Sequence, residues 1–332
     1  MSIRDRSITL RGDDPGDPGD IDGGGTAAQC ITVTDRSYLE IMNLTVHGSN
    51  GGQVIQLYAG TGAGTEERYI NVKGCTLYDA QGGTTNNNGI GSWGKYISLV
   101  GNTIHTLNCD GIWQKGANAH IANNTIYNVD LTSAAGDCIQ LSGDLTDCIV
   151  EGNHCDHSNK DEKQVIIANG TGTGLIIRNN VCIGKPGSTT LAGIWIQAGT
   201  GAEVYGNYVI DCDIGIQNIF TDANIHNNIL VNCTGDAGIT CGGAAVNAAI
   251  YNNTCDGCLD GIDTASMTAD TCDVYNNIAV NSTGYGLRIK TTHTQDYNCM
   301  YNNTSGNSVE TIGSNSLESD PKLNSDYTLQ AS

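Results

Sequence analysis

Polar and apolar residues alternate along most of the chain in short segments that recur at a regular interval. Each segment has apolar residues at every second position, then Asn-Asn or Gly-Asn, then a second alternation, as in residues 97–104, 175–182 and 202–209. Alternation with a period of two predicts strands with one buried face. With the second Asn as origin, the copies are Asn102, Asn124, Asn153, Asn180, Asn207, Asn228, Asn253, Asn277 and Asn303.

The interval between these copies is that of a solenoid repeat. Including two degenerate copies at Leu44 and Cys75, the spacings run from 21 to 31 residues. Three residues before the origin, all eleven copies carry an apolar residue, from Ile41 to Met300. Two residues after the origin, the row is apolar in ten of the eleven. Each segment is therefore expected to stack on its counterpart in the next turn.

A third short strand follows in most repeats. Its predicted inward row is Ile112, Ile139, Ile194, Ile216, Ile239, Ile262 and Leu287. Three short strands per turn, stacked in parallel, predict an all-β fold, a β-solenoid of about 11–13 coils. We assign residues 1–332 to a single β-helix domain, with regular coils over 7–310 and a C-terminal tail or cap remnant over 311–332.

The pattern resembles the right-handed parallel β-helix of the pectin-lyase-like superfamily over most of the chain. The row of asparagines at a sharp turn is similar to the asparagine ladder of that family, in which inward amides bond to each other and to the turn backbone. The resemblance implies that the third-strand sheet forms the floor of a substrate groove. No capping helix is evident before Ser7, so we expect a flanking domain or an oligomeric partner to cover the ends.

Charge and hydropathy exclude several classes of protein. The formal net charge is −20, from 35 Asp and Glu against 15 Lys and Arg, which argues against nucleic-acid binding. No apolar run approaches the ~18 residues of a membrane span. The N-terminal residues carry no apolar secretion signal, so the expected extracellular or cell-surface location depends on the predicted ligand.

The fourteen cysteines fall largely in the apolar rows. We therefore predict small buried hydrophobes rather than zinc ligands. Cys212 and Cys233 share a row in successive coils, where a disulfide is geometrically possible but not indicated.

An acidic segment near the N-terminus is a candidate cation site. Asp13, Asp17, Asp20 and Asp22 lie close together in sequence, and Ca²⁺ prefers such oxygen ligands. The alternative, which the sequence favours, is a Pro/Gly turn with solvated carboxylates.

The outward rows of the third strand carry aromatic and amide side chains. Trp113 and Trp195 are expected to face outward three coils apart, or about 14 Å at the spacing of stacked strands. Together with Gln140, Asn169 and Gln197 they form a predicted glycan-binding surface, because aromatic faces between amides suit pyranose rings. The alternative is that flanking loops cover both indole rings.

Three patterns from enzymes of this fold are present only in part. Residues 162–170 are similar to alginate and chondroitin lyases, with Glu162 matching, but the places of the base and the arginine hold Asn169 and Gln197. The polygalacturonase pattern is matched in part around Asp110 and Asp137, without its Gly-His-Gly. The Asp-Pro-His motif of C5-epimerases is absent.

These observations predict an extracellular polysaccharide-active protein, either a lyase or a glycoside hydrolase. Hydrolysis uses paired carboxylates, for which Asp110 and Asp137 are the best candidates. A lyase needs a basic side chain or a polarising cation, for which Lys115, or Arg288 with Lys290, are the candidates. The alternative is a non-catalytic structural, adhesion or phage-spike module.

Overall fold

A computed structural model describes residues 8–12, 18–34, 36–58, 67–81, 87–131, 136–160, 163–197, 199–243, 245–268 and 271–330. The chain divides into two compact units, Met1–Ile176 and Ile177–Ser332. In these ranges the regular elements are all β-strands, and no helix is long and apolar enough to cross a membrane.

The first unit is a parallel β-solenoid of six coils with three strands per coil. Its strands are β1 (Ile8–Arg11), β2 (Gly19–Ala27), β3 (Ile31–Thr34), β4 (Leu39–Met42), β5 (Leu44–Asn50), β6 (Ile55–Tyr58), β7 (Glu67–Lys73), β8 (Thr76–Gln81), β9 (Ile90–Trp93), β10 (Lys95–Val100), β11 (Thr103–Leu107), β12 (Ile112–Lys115), β13 (His120–Ala122), β14 (Thr125–Tyr127), β15 (Ile139–Asp144), β16 (Ile149–Glu151), β17 (His154–Asp156) and β18 (Gln164–Thr171). Every third strand joins the same sheet, so β1, β4 and β7 begin the first sheet, β2 and β5 the second, and β3 and β6 the third.

The second unit repeats this plan in six further coils. Its strands are β19 (Ile176–Arg178), which begins at the boundary, β20 (Val181–Ile183), β21 (Ala192–Ile196), β22 (Glu203–Tyr205), β23 (Tyr208–Ile210), β24 (Ile214–Asn218), β25 (Asn224–His226), β26 (Ile229–Val231), β27 (Ala237–Cys241), β28 (Ala248–Tyr251), β29 (Thr254–Asp256), β30 (Asp260–Asp263), β31 (Cys272–Tyr275), β32 (Ile278–Val280), β33 (Tyr285–Arg288), β34 (Thr294–Asp296), β35 (Cys299–Tyr301) and β36 (Gly306–Ser308). The predicted all-β solenoid with three strands per coil is confirmed.

The predicted inward rows form the core of each unit. On β12 the burial alternates, with Ile112 and Gln114 buried and Trp113 and Lys115 half-buried. The third-sheet row is fully buried at Ile112, Ile139, Ile194, Ile216, Ile239, Ile262 and Leu287. Parallel pairing in register stacks each of these residues on its counterpart, as Ile112 on Ile139, so the period-two pattern of the sequence becomes a continuous apolar stack.

The two residues of each asparagine pair have different roles at the turn between the first and second sheets. The first member has a positive φ, 55° at Asn227 and 65° at Gly101, a conformation that Asn and Gly adopt most easily. The second member is buried. The backbone N–H and Nδ2 of Asn228 both donate to Oδ1 of Asn253, at 3.1 and 3.0 Å, and Nδ2 also donates to the carbonyl of Val204.

Each unit carries such a ladder, which confirms the prediction. It comprises Asn102, Asn124 and Asn153 in the first unit, and Asn180, Asn207, Asn228, Asn253, Asn277 and Asn298 in the second.

The last coil corrects the predicted register. Asn277 donates to Asn298, not to Asn303, and Met300 pairs with Ala279 in the second sheet rather than lying in the first-sheet row. Asn303 instead accepts from the backbone N–H of Ser282 at the following turn. Two turns of this coil carry an inward Asn, and the pattern alone selected the wrong one.

Twelve of the fourteen cysteines are buried. The prediction of buried hydrophobic thiols is confirmed for those twelve. Burial raises the pKa of the Cys212, Cys241 and Cys272 thiols, which keeps them neutral at physiological pH.

Candidate functional site

The outward face of the third sheet in the first unit carries a group of aromatic and polar side chains. Pairing sets Trp113 beside Gly91 and Gln140, and sets Lys115 between Trp93 and Ser142. Asn169 follows Ser142 in the next coil. We call Trp93, Trp113, Lys115, Gln140, Ser142 and Asn169 the indole platform.

The two indole rings of this platform pack against each other. Their centroids are 4.7 Å apart with an interplanar angle of 77°, an edge-to-face arrangement. Nε1 of Trp113 donates to Oγ of Ser142 at 3.1 Å. Both rings are half-buried, and Asn169 is exposed. The platform therefore offers apolar surface with hydrogen-bonding groups beside it.

Basic groups border this surface. A side chain at Gly143 would meet Cγ of Lys115, so the lysine stem lies against that glycine. Nζ of Lys95 is 3.7 Å from Oδ2 of Asp144. Hydrogen bonding from Thr146, and the charge of Lys95, lower the pKa of Asp144. Lys115 is half-buried on the platform.

Asp110 and Asp137 occupy a different place from the platform. They lie where the chain enters the third sheet, and each is only 4% exposed. Oδ1 of Asp110 accepts from the backbone N–H of Asp137, and Oδ1 of Asp137 accepts from that of Gln164, both at 2.8 Å. In the preceding coil, Asn88 accepts from the N–H of Asp110 in the same way. The two carboxyl groups thus continue a second ladder of backbone acceptors.

Burial governs the protonation of this pair. It raises the pKa of Asp137 to about 7, and burial together with the neighbouring Asp137 raises the pKa of Asp110 well above its usual value. Lys163 opposes both shifts. His157 is buried nearby, with Nε2 3.0 Å from the carbonyl of Gly136, and burial lowers its pKa. Glu162 lies outside the described residues.

The third sheet of the second unit presents another outward row. It runs in register through Trp195, Gln217, Thr240, Asp263 and Arg288. Trp195 is half-buried, and within the described part of the chain its Nε1 is buried without a hydrogen-bond partner. Gln197, just after β21, is half-buried.

Carboxylates surround Arg288 at the end of this row. Its Nη1 is 3.6 Å from Oδ2 of Asp260 and 3.4 Å from Oδ2 of Asp263, which keeps those two oxygens within about 7 Å of each other. Both Asp side chains are less than a tenth exposed, whereas that of Arg288 is 49% exposed. We call Asp236, Asp260, Asp263 and Arg288 the carboxylate–arginine cluster.

Two of these carboxyl groups, those of Asp236 and Asp263, have a raised pKa. Burial, and then the charge of Asp260, raise the pKa of Asp236, while Arg288 lowers it. Burial likewise raises the pKa of Asp263, and the neighbouring acids add to it, against hydrogen bonding from Ala265 and the charge of Arg288. A carboxyl group whose pKa is raised and that lies beside other carboxylates is typical of sites for general acid catalysis.

The structure describes two of the four candidate calcium ligands, Asp20 and Asp22. Asp13 and Asp17 lie outside the described residues. Asp20 and Asp22 flank His47, with Oδ1 atoms 3.2 Å from Nε2 and 3.6 Å from Nδ1. Among the residues that the structure does describe, no group of three or more His, Cys, Asp or Glu side chains is placed to hold a metal ion. Calcium binding by the N-terminal segment stays a prediction.

Sequence reasoning missed Trp93, Asp236 and the contact of Asp260 with Arg288. Strand β9, with Ile90 inward and Trp93 outward, is an ordinary third-strand copy, but the glycine at position 91 weakens its pattern in the sequence. The predicted outward row already placed Asp263 beside Arg288. Asp260 was missed because it comes from the entry turn, where the side chain leaves the strict alternation.

Comparison with known proteins identifies the fold. No protein-family model matches the chain, and no curated protein matches it. Solved structures do: a mutant tailspike protein of E. coli bacteriophage HK620 in complex with a pentasaccharide is 11% identical with a TM-score of 0.56, over 89% of this chain and 61% of that one. XylC in complex with xylose gives 11% and 0.56, over 90% and 56%.

A hyperthermoactive exopolygalacturonase from Thermotoga maritima is 9% identical with a TM-score of 0.53, over 96% of this chain and 92% of that one. The chain has the right-handed parallel β-helix fold that these structures share. It spans less than two thirds of the length of the first two structures. At these identities the likeness shows the fold alone.

Proposed function

We propose that the protein is a polysaccharide-active β-helix that binds glycan on the indole platform. The observation that carries this proposal is the half-exposed pair of Trp93 and Trp113, since solvent-facing indoles beside amides, a hydroxyl and a lysine suit stacking on a sugar ring. A purely structural solenoid face has no need of two adjacent tryptophans. An extracellular location would follow from such a ligand.

The structural neighbours support the same class of ligand. One was determined with a pentasaccharide, another with xylose, and a third is an exopolygalacturonase. This chain resembles those proteins in fold only. The resemblance therefore supports a glycan as ligand without specifying which one.

For chemistry we favour hydrolysis at the carboxylate–arginine cluster of the second unit. Asp263, whose pKa is raised by burial, would give a proton to the glycosidic oxygen as the C–O bond to the leaving sugar breaks. Water would add to the anomeric carbon, and Asp236 would take its proton. Arg288, half-exposed and paired with Asp260, would offset the negative charge of the neighbouring carboxylates.

The non-catalytic alternative has one specific observation in its favour. Asp110 and Asp137, the carboxyl pair that the sequence suggested for hydrolysis, are tied to backbone N–H groups and almost fully buried. A binding or spike module would keep the platform and have no active carboxylates.

The test is a panel of neutral and acidic polysaccharides scored for new reducing ends and for ultraviolet-absorbing unsaturated products. We expect reducing ends without ultraviolet absorbance. Asp263→Asn should abolish them and keep oligosaccharide binding, whereas Trp113→Ala should weaken binding by about tenfold, a typical loss for a stacked ring. Asp273→Asn, an exposed acid on the first sheet, is the matched control.

Three results would count against parts of the proposal. Unsaturated products would mean a lyase. Full activity of Asp263→Asn would remove the cluster from catalysis. Unchanged glycan affinity of Trp113→Ala, together with a lowered melting temperature, would mean that the ring serves stability rather than binding.

A further inference from the structure

A cavity lies on a different sheet, where the C-terminal tail crosses the outward face of the second sheet in the second unit. Its volume is about 420 Å³, within the range of small-molecule sites. Asp256, Val280, Asn281 and Tyr301 form the wall on the sheet side, and residues of the segment 320–327 form the other wall. The cavity shares no residue with the third sheet.

The tail that closes this cavity is held in a defined shape. Leu323 and Leu329 form an antiparallel bridge, and the N–H of Gln330 donates to the carbonyl of Lys322 at 2.7 Å. At the tip, Tyr327 has a φ of 65°, which is uncommon for a bulky residue.

Tyr327 is tied to the sheet side of the cavity. Burial, together with the charge of Asp256 and a hydrogen bond to it, raises the pKa of Tyr327 to about 12. Oδ1 of Asp256 also accepts from Nδ2 of Asn281 at 2.8 Å. A phenol and a carboxylate thus both line the cavity.

The walls carry two carboxylates and several neutral polar groups beside two aromatic rings. Asp320 accepts from the N–H and Nζ of Lys322, at 2.9 and 3.0 Å, which engages that cation. Tyr301 is 41% exposed and leaves part of its ring open. Carboxylate oxygens accept from hydroxyl groups and repel anions, and aromatic faces pack on the C–H face of a ring. This combination suits a ligand that is uncharged, cyclic and rich in hydroxyl groups.

We propose that this cavity binds one neutral pyranose unit, with Tyr301 packing on the sugar ring and the carboxylates of Asp256 and Asp320 accepting from its hydroxyl groups. The site is separate from the glycan surface proposed for the third sheet and does not depend on it. It would give the protein a second point of contact with a polysaccharide or with a surface that displays neutral sugars.

The experiment is an amide-resonance titration of the full chain with the methyl pyranosides of glucose, galactose and mannose, and with glucuronate. We expect saturable shifts of the amides in segment 320–327 with at least one neutral pyranoside and none with glucuronate. Tyr301→Ala and Asp256→Asn should each weaken that binding by about tenfold. Trp113→Ala should leave it unchanged, which separates this proposal from that for the third sheet.

Tyr297→Ala is the matched control, because Tyr297 lies in the same coil, is 59% exposed and does not line the cavity. The affinity of this variant for the pyranoside should stay within about twofold of that of the parent. The proposal fails if no neutral pyranoside gives saturable shifts up to about 50 mM, a limit far weaker than ordinary specific binding. It also fails if glucuronate binds as well as the neutral sugars, or if Tyr297→Ala and Tyr301→Ala lose affinity equally. Melting curves of each variant verify that it is folded.

Discussion

At the scale of single residues, chemically similar side chains have different structural roles, which depend on their position in the coil. Asn227 is exposed at a turn with positive φ, whereas the next residue, Asn228, is buried and makes hydrogen bonds to both neighbouring coils. The acids divide in the same way. Asp147 is exposed at a positive-φ turn, while Asp137 is buried and accepts a backbone N–H.

The buried Asp137 should make stability depend on pH. Its pKa is raised to about 7 in the folded chain, above the value near 3.9 of an unfolded Asp. The folded state therefore holds a proton that the unfolded state has lost, and this contribution, full below about pH 4, disappears as the pH rises through 7. We expect Asp137→Asn to raise the melting temperature at about pH 8 and to reduce the parent's loss of stability between about pH 5 and pH 8.

The amide fits this position because Asn88 accepts the equivalent N–H two coils earlier. Asp147→Asn is the control and should leave the pH profile unchanged. An Asp137→Asn chain that melts below the parent at both pH values would show that the carboxylate itself is needed. If it also lost glycan cleavage, a catalytic role of Asp110 and Asp137 would be favoured over that of the carboxylate–arginine cluster.

At the scale of the strand, the outward rows hold columns of stacked rings. Along the first sheet of the second unit, Tyr205, His226, Tyr251 and Tyr275 stack with centroids 4.7 to 5.1 Å apart and nearly parallel planes. The second sheet of the first unit carries a similar column of His47, Tyr78, His105 and Tyr127. The coil spacing is close to the stacking distance of aromatic rings, so each column reinforces the pairing of its strands.

The number of stacked neighbours should set the cost of removing a ring. Among the residues that the structure describes, Tyr251 stacks on both His226 and Tyr275, whereas Tyr275 stacks on Tyr251 only. With about 1 kcal/mol for each stacked pair, Tyr251→Thr should lose about 2 kcal/mol of unfolding free energy and Tyr275→Thr about half of that. Denaturant unfolding of the two variants measures the difference. Equal losses would mean that β-propensity and burial, rather than stacking, determine the effect.

The strand scale is also where the sequence is most informative. Three inward rows of apolar residues recur at each coil, and parallel pairing leaves no freedom in register once those rows are aligned. The alternation also places Trp113 and Arg288 outward, as observed. It fails at turns, where a side chain leaves the period of two. For that reason the sequence predicted neither the ladder position of Asn298 nor the contact of Asp260 with Arg288, and it gave no sign that Asp110 and Asp137 are buried acceptors of backbone N–H groups.

At the scale of the whole molecule, a solenoid gains its stability from contacts between neighbouring coils, while charge acts over longer distances. The chain carries a net charge of −20, and like charges at this density destabilise a compact state. Exposed acids such as Asp147, Asp222 and Asp273 contribute to this repulsion. Salt should relieve it, because raising NaCl from about 20 mM to about 500 mM shortens the Debye length from about 20 Å to about 4 Å.

We therefore expect the melting temperature at neutral pH to rise with NaCl over this range. A variant with Asp147→Asn, Asp222→Asn and Asp273→Asn, whose net charge is less negative by three, should melt higher than the parent at low salt and respond less to added salt. The substitutions suit the backbone, since Asp147 and Asp222 have positive φ values that Asn also adopts. Equal salt responses of parent and variant would mean that NaCl acts through apolar burial rather than through screening. A melting temperature that falls with salt would instead mean that local attractive pairs, such as those of Arg288 with its two carboxylates, outweigh the net repulsion.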